Sequence, residues 1–276
     1  MLNFTILTRH PMAKASSILR LQGTIQEITF YQRNGKWFAR AKSSLTGKKV
    51  KKSPRFKRSM ENMREFGATS VITKQVWACF PKNWKHFRDT GAFNRYKSIV
   101  YRVMMNDAGD RGQHAFRPTR LWELWQGFPF HKEKYFASSC HADFSSAWDP
   151  ATGILSLALP ATAGDLMLDP SGGATHARID FAGIILTPYL PNTALEQWIS
   201  DPEWRSEFFA TTSCTFPIAD ATILPPPLTL SFPATPNLPP GYLMQALVGI
   251  SFYQEVASVM NLLPDKSSMM ILKVWG

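Results

Sequence analysis

The stretch Tyr31-Gln32-Arg33-Asn34-Gly35-Lys36-Trp37-Phe38 places an Asn-Gly pair between two runs of β-favouring residues. A two-residue hairpin loop of type I′ needs a positive φ angle at both central positions, and Asn followed by Gly adopts such angles readily. The pattern therefore predicts a β-hairpin over residues 22–42.

A strongly basic segment follows the predicted hairpin. Residues 42–58 are too rich in lysine and arginine, and too poor in apolar side chains, to form core, so we expect an exposed loop. Within this segment, Ser53-Pro54 has the order of an N-cap residue followed by proline at the first helical position. This order predicts a helix over residues 54–66, which Gly67 would end.

The middle of the chain has helical periodicity. Apolar residues recur at helical spacing from Val71 to Met104, and Pro81 and Gly91 interrupt them. This pattern predicts two or three helices between residues 69 and 109, followed by a short helix near residues 119–126.

After about residue 127 the sequence changes to short β-type segments separated by Pro, Gly, Asp and Asn. Turn sequences such as Pro170-Ser-Gly-Gly173 favour antiparallel pairing. One further helix is expected near residues 193–200. The predicted strands cover residues 153–159, 175–190, 213–218, 228–232, 242–252 and 269–275.

These elements together predict an α+β fold. An N-terminal β-hairpin and a small helical region would be followed by a mainly antiparallel β-sandwich or barrel-like domain. We expect a basic domain over residues 1–126, with its N-terminal arm, and an acidic β-rich domain over residues 127–276.

Charge is divided unequally along the chain. The formal net charge is +11, but residues 1–137 carry 27 Lys and Arg against 8 Asp and Glu, whereas residues 138–276 carry 4 against 12. An ordinary solvated surface mixes the two signs, so this asymmetry predicts two regions of opposite potential.

Cysteine usage and hydropathy bear on the compartment. Cys79, Cys140 and Cys214 are too few and too widely spaced to form the disulfide framework of a small secreted domain. The first residues lack the pattern of a Sec signal, and no window approaches the ~20 apolar residues that a membrane-spanning helix needs. We therefore expect a protein without a membrane span that is cytoplasmic, or exported without a Sec signal peptide.

The sequence lacks the motifs that carry common catalytic chemistry. It contains no glycine loop followed by Lys-Ser or Lys-Thr and no Gly-x-Ser-x-Gly turn. The histidines and cysteines, such as the adjacent Cys140 and His141, lack zinc-ligand spacing. Five aspartates in or beside turns are interpreted as turn residues, because an aspartate in a turn usually bonds its own backbone. They are Asp143, Asp149, Asp165, Asp169 and Asp180. We therefore predict a protein that is not an enzyme and that has no cofactor and no metal site.

The basic segment is the densest functional pattern in the sequence. Aromatic residues interleave with its cations, a combination that suits phosphate backbones and exposed bases. It also suits an acidic protein surface, and a merely solvated face is the third interpretation. The candidate binding residues are Arg33, Lys36, Trp37, Arg40, Lys42, Lys48, Lys49, Lys51, Lys52, Arg55, Lys57 and Arg58.

Part of the sequence resembles a family of uncharacterised bacterial proteins. The resemblance lies in Gly23-Thr-Ile-Gln-Glu-Ile-Thr-Phe-Tyr-Gln-Arg-Asn-Gly-Lys-Trp-Phe-Ala-Arg-Ala-Lys42, in Ser53-Pro-Arg-Phe-Lys-Arg-Ser-Met-Glu-Asn62, in Glu65-Phe-Gly67 and in Gly172-Gly-Ala-Thr-His-Ala-Arg178. It implies the layout of an N-terminal hairpin, a basic loop and a Pro-x-Phe-x-Arg helix start. It implies no activity.

Two functional hypotheses follow from the charge pattern. The first is a non-catalytic structural protein that self-assembles head to tail, into a homo-oligomer or filament, because its basic and acidic halves complement each other. The alternative is a nucleic-acid-binding protein that uses residues 33–58. A hydrolase or sugar-binding β domain is a third possibility, supported only by aromatic residues and Asp-rich turns.

Overall fold

A computed structural model of the protein describes residues 13–14, 22–33, 35–41, 45–200, 209–218, 224, 227–232 and 241–276. The chain divides into two compact units, Met1–Met60 and Glu61–Gly276. The expected boundary between residues 126 and 127 falls inside the second unit. On its two sides, Trp125 and Phe128 belong to one hydrophobic cluster.

The first unit contains a four-stranded antiparallel sheet in the order β1-β4-β3-β2. The strands are β1 (Ala13–Lys14), β2 (Gly23–Ile25), β3 (Ile28–Arg33) and β4 (Lys36–Ala41). Strands β3 and β4 form the predicted hairpin, with Arg33 opposite Lys36. Gly35 has a φ of +73°, as the turn requires, and Asn34 lies outside the described residues.

The basic segment is partly helical, which corrects the loop expected there. Helix α1 covers Gly47–Lys52, and the Thr46 hydroxyl accepts a hydrogen bond from the backbone N–H of Lys49 at 3.3 Å. This N-cap bond satisfies one of the N–H groups that a helix start leaves unpaired, and a threonine at this position favours the helix.

The next helix is longer than the sequence predicts. A short 3-10 turn at Pro54–Phe56 leads into helix α2 (Lys57–Cys79), which continues through Gly67 instead of ending there. Glycine in a helix interior costs only about 1 kcal/mol relative to alanine. Ile72 and Val76, which are buried on the continuing helix, offset that cost.

The predicted helical region after residue 69 is confirmed. Helix α3 covers Ala92–Met105 and buries Tyr96, Val100 and Val103 at helical spacing. A 3-10 segment at Lys82–Phe87 follows Pro81, and Gly91 precedes α3, so both predicted interruptions are correct. Near residues 119–126 only a single 3-10 turn forms, at Trp122–Leu124.

The remainder of the second unit is mostly antiparallel β-structure. Its strands are β5 (Ser145–Asp149), β6 (Ile154–Ala158), β7 (His176–Leu186), β8 (Tyr189–Asn192), β9 (Gln197–Ser200), β10 (Phe209–Pro217), β11 (Leu228–Ser231), β12 (Leu243–Val256) and β13 (Val259–Trp275). The helix expected near residues 193–200 is wrong. Asn192 instead accepts a hydrogen bond from the backbone N–H of Leu195 at 3.0 Å, in the turn that joins β8 to β9.

The second unit has three layers. Its central sheet has the order β10-β7-β12-β13, and a smaller sheet has the order β11-β6-β5. Ala182 and Ile184 of β7 belong to the cluster formed with α2 and α3, whereas Ile179 and Phe181 belong to the cluster formed with the smaller sheet. Successive strand residues point to opposite faces, so helices cover one face of β7 and the smaller sheet covers the other. The α+β fold with an N-terminal hairpin is thus confirmed.

Candidate functional site

One face of the first unit's sheet combines aromatic and basic residues. Tyr31 lies opposite Phe38 in the β3–β4 register, and Arg33 lies opposite Lys36. Because side chains alternate along a strand, these four residues and Arg40 share one side of the sheet. We call these five residues the aromatic-basic face.

The rings of this face are arranged in a compact stack. The ring centroids of Tyr31 and Phe38 are 5.6 Å apart, with an interplanar angle of 22°. The guanidinium carbon of Arg40 lies 5.5 Å from the centroid of the Tyr31 ring, a cation–π distance. Both rings are partly buried and Arg40 is exposed, so the face is accessible from solvent.

Apart from Gln32, the opposite face of the β3–β4 hairpin is apolar. Ile28, Phe30 and Ala39 lie on it, and so does Trp37, which the sequence placed among the binding residues. Trp37 is adjacent to Phe38 in the chain, and strand alternation sends neighbours to opposite sides. Trp37 is therefore not part of the aromatic-basic face.

The basic residues after the sheet lie on α1, on the 3-10 turn that follows it and at the start of α2. Lys48, Lys49, Lys51, Lys52, Arg55, Lys57 and Arg58 are all exposed. Four of them, Lys48, Lys49, Lys52 and Arg55, line an open concavity of about 730 Å³ whose other walls include Phe56. Lys42 lies outside the described residues.

The cations of the first unit have no carboxylate partners within the described ranges. None of the ten described candidates, Arg33, Lys36, Arg40 and the seven residues after the sheet, forms an ion pair there. Residues 1–60 contain 14 Lys and Arg but a single acidic residue, Glu27, so they have almost no carboxylates to pair with. Residues 61–276 hold 17 basic and 19 acidic residues. The excess positive charge of the chain thus belongs to the first unit.

Several arginines of the second unit, in contrast, form ion pairs with carboxylates. Arg95 contacts Asp89 at 3.0 Å, and Arg178 contacts Asp180 at 2.9 Å. Arg64 on α2 contacts Glu196 in the β8–β9 turn at 2.5 Å. The Arg64–Glu196 pair joins α2 to the β8–β9 turn, and all three pairs leave the arginines less available to an external anion.

Some of the carboxylates in the acidic half are neutralised by ion pairs within the chain. Among its described carboxylates, Asp169 pairs with Lys266, and Asp180 and Glu196 pair with arginines. Two others close turns: Asp149 accepts from Thr152, and Asp165 accepts from Thr162. The turn interpretation of Asp149 and Asp165 is therefore confirmed.

Asp180 is not a turn residue, which corrects the sequence interpretation. It lies within β7 and is 2% exposed. Burial raises the pKa of the Asp180 carboxyl, and the adjacent Arg178 guanidinium and a hydrogen bond from Trp84 oppose that rise. Asp180 interrupts a long apolar run that predicts a buried strand. A carboxylate within such a run is expected to be buried with it, and this pattern could have identified Asp180 from the sequence.

A second buried carboxylate was not predicted. Glu65 of α2 is 1% exposed, and its Oε1 accepts the backbone N–H of Gly112 at 2.7 Å and lies 2.5 Å from Nδ1 of His114. The indole N–H of Trp198 in turn donates to the backbone oxygen of His114 at 2.8 Å. These bonds connect α2 to the segment that follows α3, and that segment to β9. We therefore interpret the role of Glu65 as structural.

Two of the three cysteines, Cys140 and Cys214, have no reactive setting. Burial raises the pKa of the Cys140 thiol to about 11, and burial also raises the pKa of the Cys214 thiol. A thiol with a raised pKa is a poor nucleophile at neutral pH. Within the described ranges, no group of three or more His, Cys, Asp or Glu side chains is placed to hold a metal ion.

Comparisons add no relative from which a function could be transferred. The chain matches no family model, no curated protein and no solved structure. The resemblance to uncharacterised bacterial proteins stays a prediction. Of the helices in the described part of the chain, none has both the length and the apolar character needed to cross a membrane.

Proposed function

We propose that the protein binds nucleic acid through the basic surface of its first unit, in a non-catalytic role. The observation that carries this proposal is the set of ten described cations, all exposed, which have no carboxylate partners in the described ranges. Cations that are not neutralised internally can replace the counterions around phosphates, and the release of those counterions drives binding.

The proposal is tested by reversing charge on α1. Changing Lys48, Lys49, Lys51 and Lys52 to Glu should abolish binding of the full chain to a labelled oligonucleotide, measured by fluorescence anisotropy. All four residues are exposed and none belongs to a buried cluster, so the variant should keep the circular dichroism spectrum of the wild type.

A matched variant controls for net charge. Lys74, Lys82, Lys85 and Lys132 are exposed residues of the second unit, and changing them to Glu alters the net charge equally. This control should lose far less affinity than the α1 variant. Equal losses in the two variants would mean that only overall charge matters, and unchanged binding in the α1 variant would rule out the proposed surface.

A second candidate function is self-assembly, and a different observation favours it. The β12–β13 hairpin ends in exposed apolar side chains: Val256 is 54% exposed, Val259 59% and Met260 42%. The same hairpin carries the exposed Glu255 and Asp265. The apolar tip and the adjacent Glu255 would contact the basic first unit of a second copy of the chain, which is the head-to-tail contact that the charge asymmetry predicts.

Light scattering separates this candidate from the first. Changing Val256 and Val259 to Thr keeps β-branched side chains on the hairpin but makes its tip polar. If copies assemble through the tip, particle size should fall while oligonucleotide binding persists. A wild-type protein that stays monomeric at all concentrations would exclude this candidate without affecting the first.

A further inference from the structure

We infer that the aromatic-basic face makes the protein selective for single-stranded over double-stranded nucleic acid, an inference that rests on the proposed function. Tyr31 and Phe38 are its central residues. Cations alone recognise phosphates, which both forms of nucleic acid present. Aromatic rings add affinity only where the faces of bases are free to stack, as they are in single strands.

The two rings lie where a strand of nucleic acid would meet both kinds of contact. Arg33 and Lys36 are each two residues from a ring on the turn side, and Arg40 is two residues beyond Phe38 on the other side. Same-face residues on a strand are about 7 Å apart. Cations therefore flank the rings along the sheet, so bases stacking at the rings would have phosphates near the cations on either side.

The ring pair has the geometry of a platform and not of a buried core contact. No residue of β2, β3 or β4 is buried, and the two ring planes are nearly parallel, at 22° to each other, with their centroids 5.6 Å apart. Arg40 over Tyr31 adds a planar guanidinium, which can stack on a base as well as pair with a phosphate. The apolar opposite face has Phe30 and Trp37 but none of the hairpin's three described cations.

The test compares a single strand with a duplex of the same length, using the full chain and two oligonucleotides of mixed sequence. Changing Tyr31 and Phe38 together to Leu keeps an apolar pair but removes the ring faces. Single-strand affinity should fall about tenfold or more, because each stacked base contributes about 1–3 kcal/mol. Duplex affinity should stay within about twofold, since the cations remain.

Two further variants keep the inference falsifiable if the double variant is unstable. Phe38→Leu alone removes one of the two rings and should lower single-strand affinity more than duplex affinity. Phe30→Leu removes an aromatic ring from the opposite face and should change neither affinity. Circular dichroism spectra of all variants establish that the hairpin is still formed.

The outcomes distinguish this inference from the proposed function. If the variant with both Tyr31 and Phe38 changed to Leu lost affinity equally for single strand and duplex, or lost none for either, the proposed role of the rings would be overturned. If the wild type bound both forms equally well, the inference would fail while nucleic-acid binding stood. If the wild type bound neither form at low ionic strength, both would fail.

Discussion

At the scale of single residues, Asp89 shows how one carboxylate organises a connection between elements. Its Oδ1 accepts the backbone N–H of Gly91 at 2.7 Å and a guanidinium N–H of Arg95 at 3.0 Å, and its Oδ2 accepts the backbone N–H of Lys132 at 2.7 Å. Burial alone would raise the pKa of Asp89, but the bonds from Arg95, Lys132 and Gly91 hold it at about 2.

This low pKa predicts a pH-dependent stability contribution. The folded pKa lies below the ordinary value of 3.8, so the contribution is fully present above that value and is lost as pH falls toward about 2. Asp89→Asn should therefore lower the free energy of unfolding by about 1–2 kcal/mol near neutral pH, and by much less near pH ~2. Urea denaturation at both pH values measures the difference. A deficit of equal size at both would contradict the assignment.

Gly183 lies where the central sheet of the second unit packs against the smaller sheet. A Cβ atom at this position would lie 2.6 Å from Cδ2 of Leu155 and 2.6 Å from Cζ of Phe232. Gly183→Ala should thus lower the free energy of unfolding by about 1–3 kcal/mol, through overpacking. Gly172, where a Cβ meets nothing within 4 Å, is the matched control and should tolerate alanine. Equal stability of the two variants would mean that the sheets pack less closely at β7.

At the scale of elements, Gly67 tests why α2 is longer than the sequence predicts. The residue is exposed in the helix interior, and a Cβ there would meet nothing within 4 Å. Gly67→Ala should raise the free energy of unfolding by about 0.5–1 kcal/mol, because alanine has the better helix propensity. Gly35→Ala provides the contrast, since its φ of +73° should make the same change destabilising. A loss of stability in Gly67→Ala would mean that the helix does break there.

Sequence patterns predicted elements well where the signal was local. The Asn-Gly pair, the interruptions at Pro81 and Gly91 and the turn-bounded strands all correspond to features of the structure. Predictions failed where tertiary packing outweighed local propensity, as at Gly67. The sequence of residues 193–200 predicts a helix, but the pairing of β8 with β9 and the bond from the backbone N–H of Leu195 to Asn192 make this segment a β-hairpin.

The candidate site was predictable to a similar degree. Its cations are neighbours in the chain, so charge counting found them without a structure. The separation of Trp37 from Phe38 was available from strand alternation, once β4 was assigned. The tie between Glu65 and His114 joins residues 49 positions apart, and no local pattern could reveal it.

At the scale of the whole molecule, charge and packing are divided between the two units. The two hydrophobic clusters consist of residues from Ala68 onward, so the described core belongs to the second unit. The first unit carries 14 basic residues, and its sheet has no buried residue in β2, β3 or β4. This division fits a stable second unit joined to a unit specialised for an anionic partner.

The salt dependence of oligonucleotide binding by the full chain tests the nucleic-acid proposal most directly. If several of the first unit's cations contact phosphates, the logarithm of the association constant should fall linearly with the logarithm of salt concentration, with a slope of about −0.7 per phosphate contact on single strands. A total slope near −3 or steeper between about 50 mM and about 200 mM salt is the predicted result. Absence of binding at the lowest salt concentration, or an affinity that does not change with salt, would contradict the proposal.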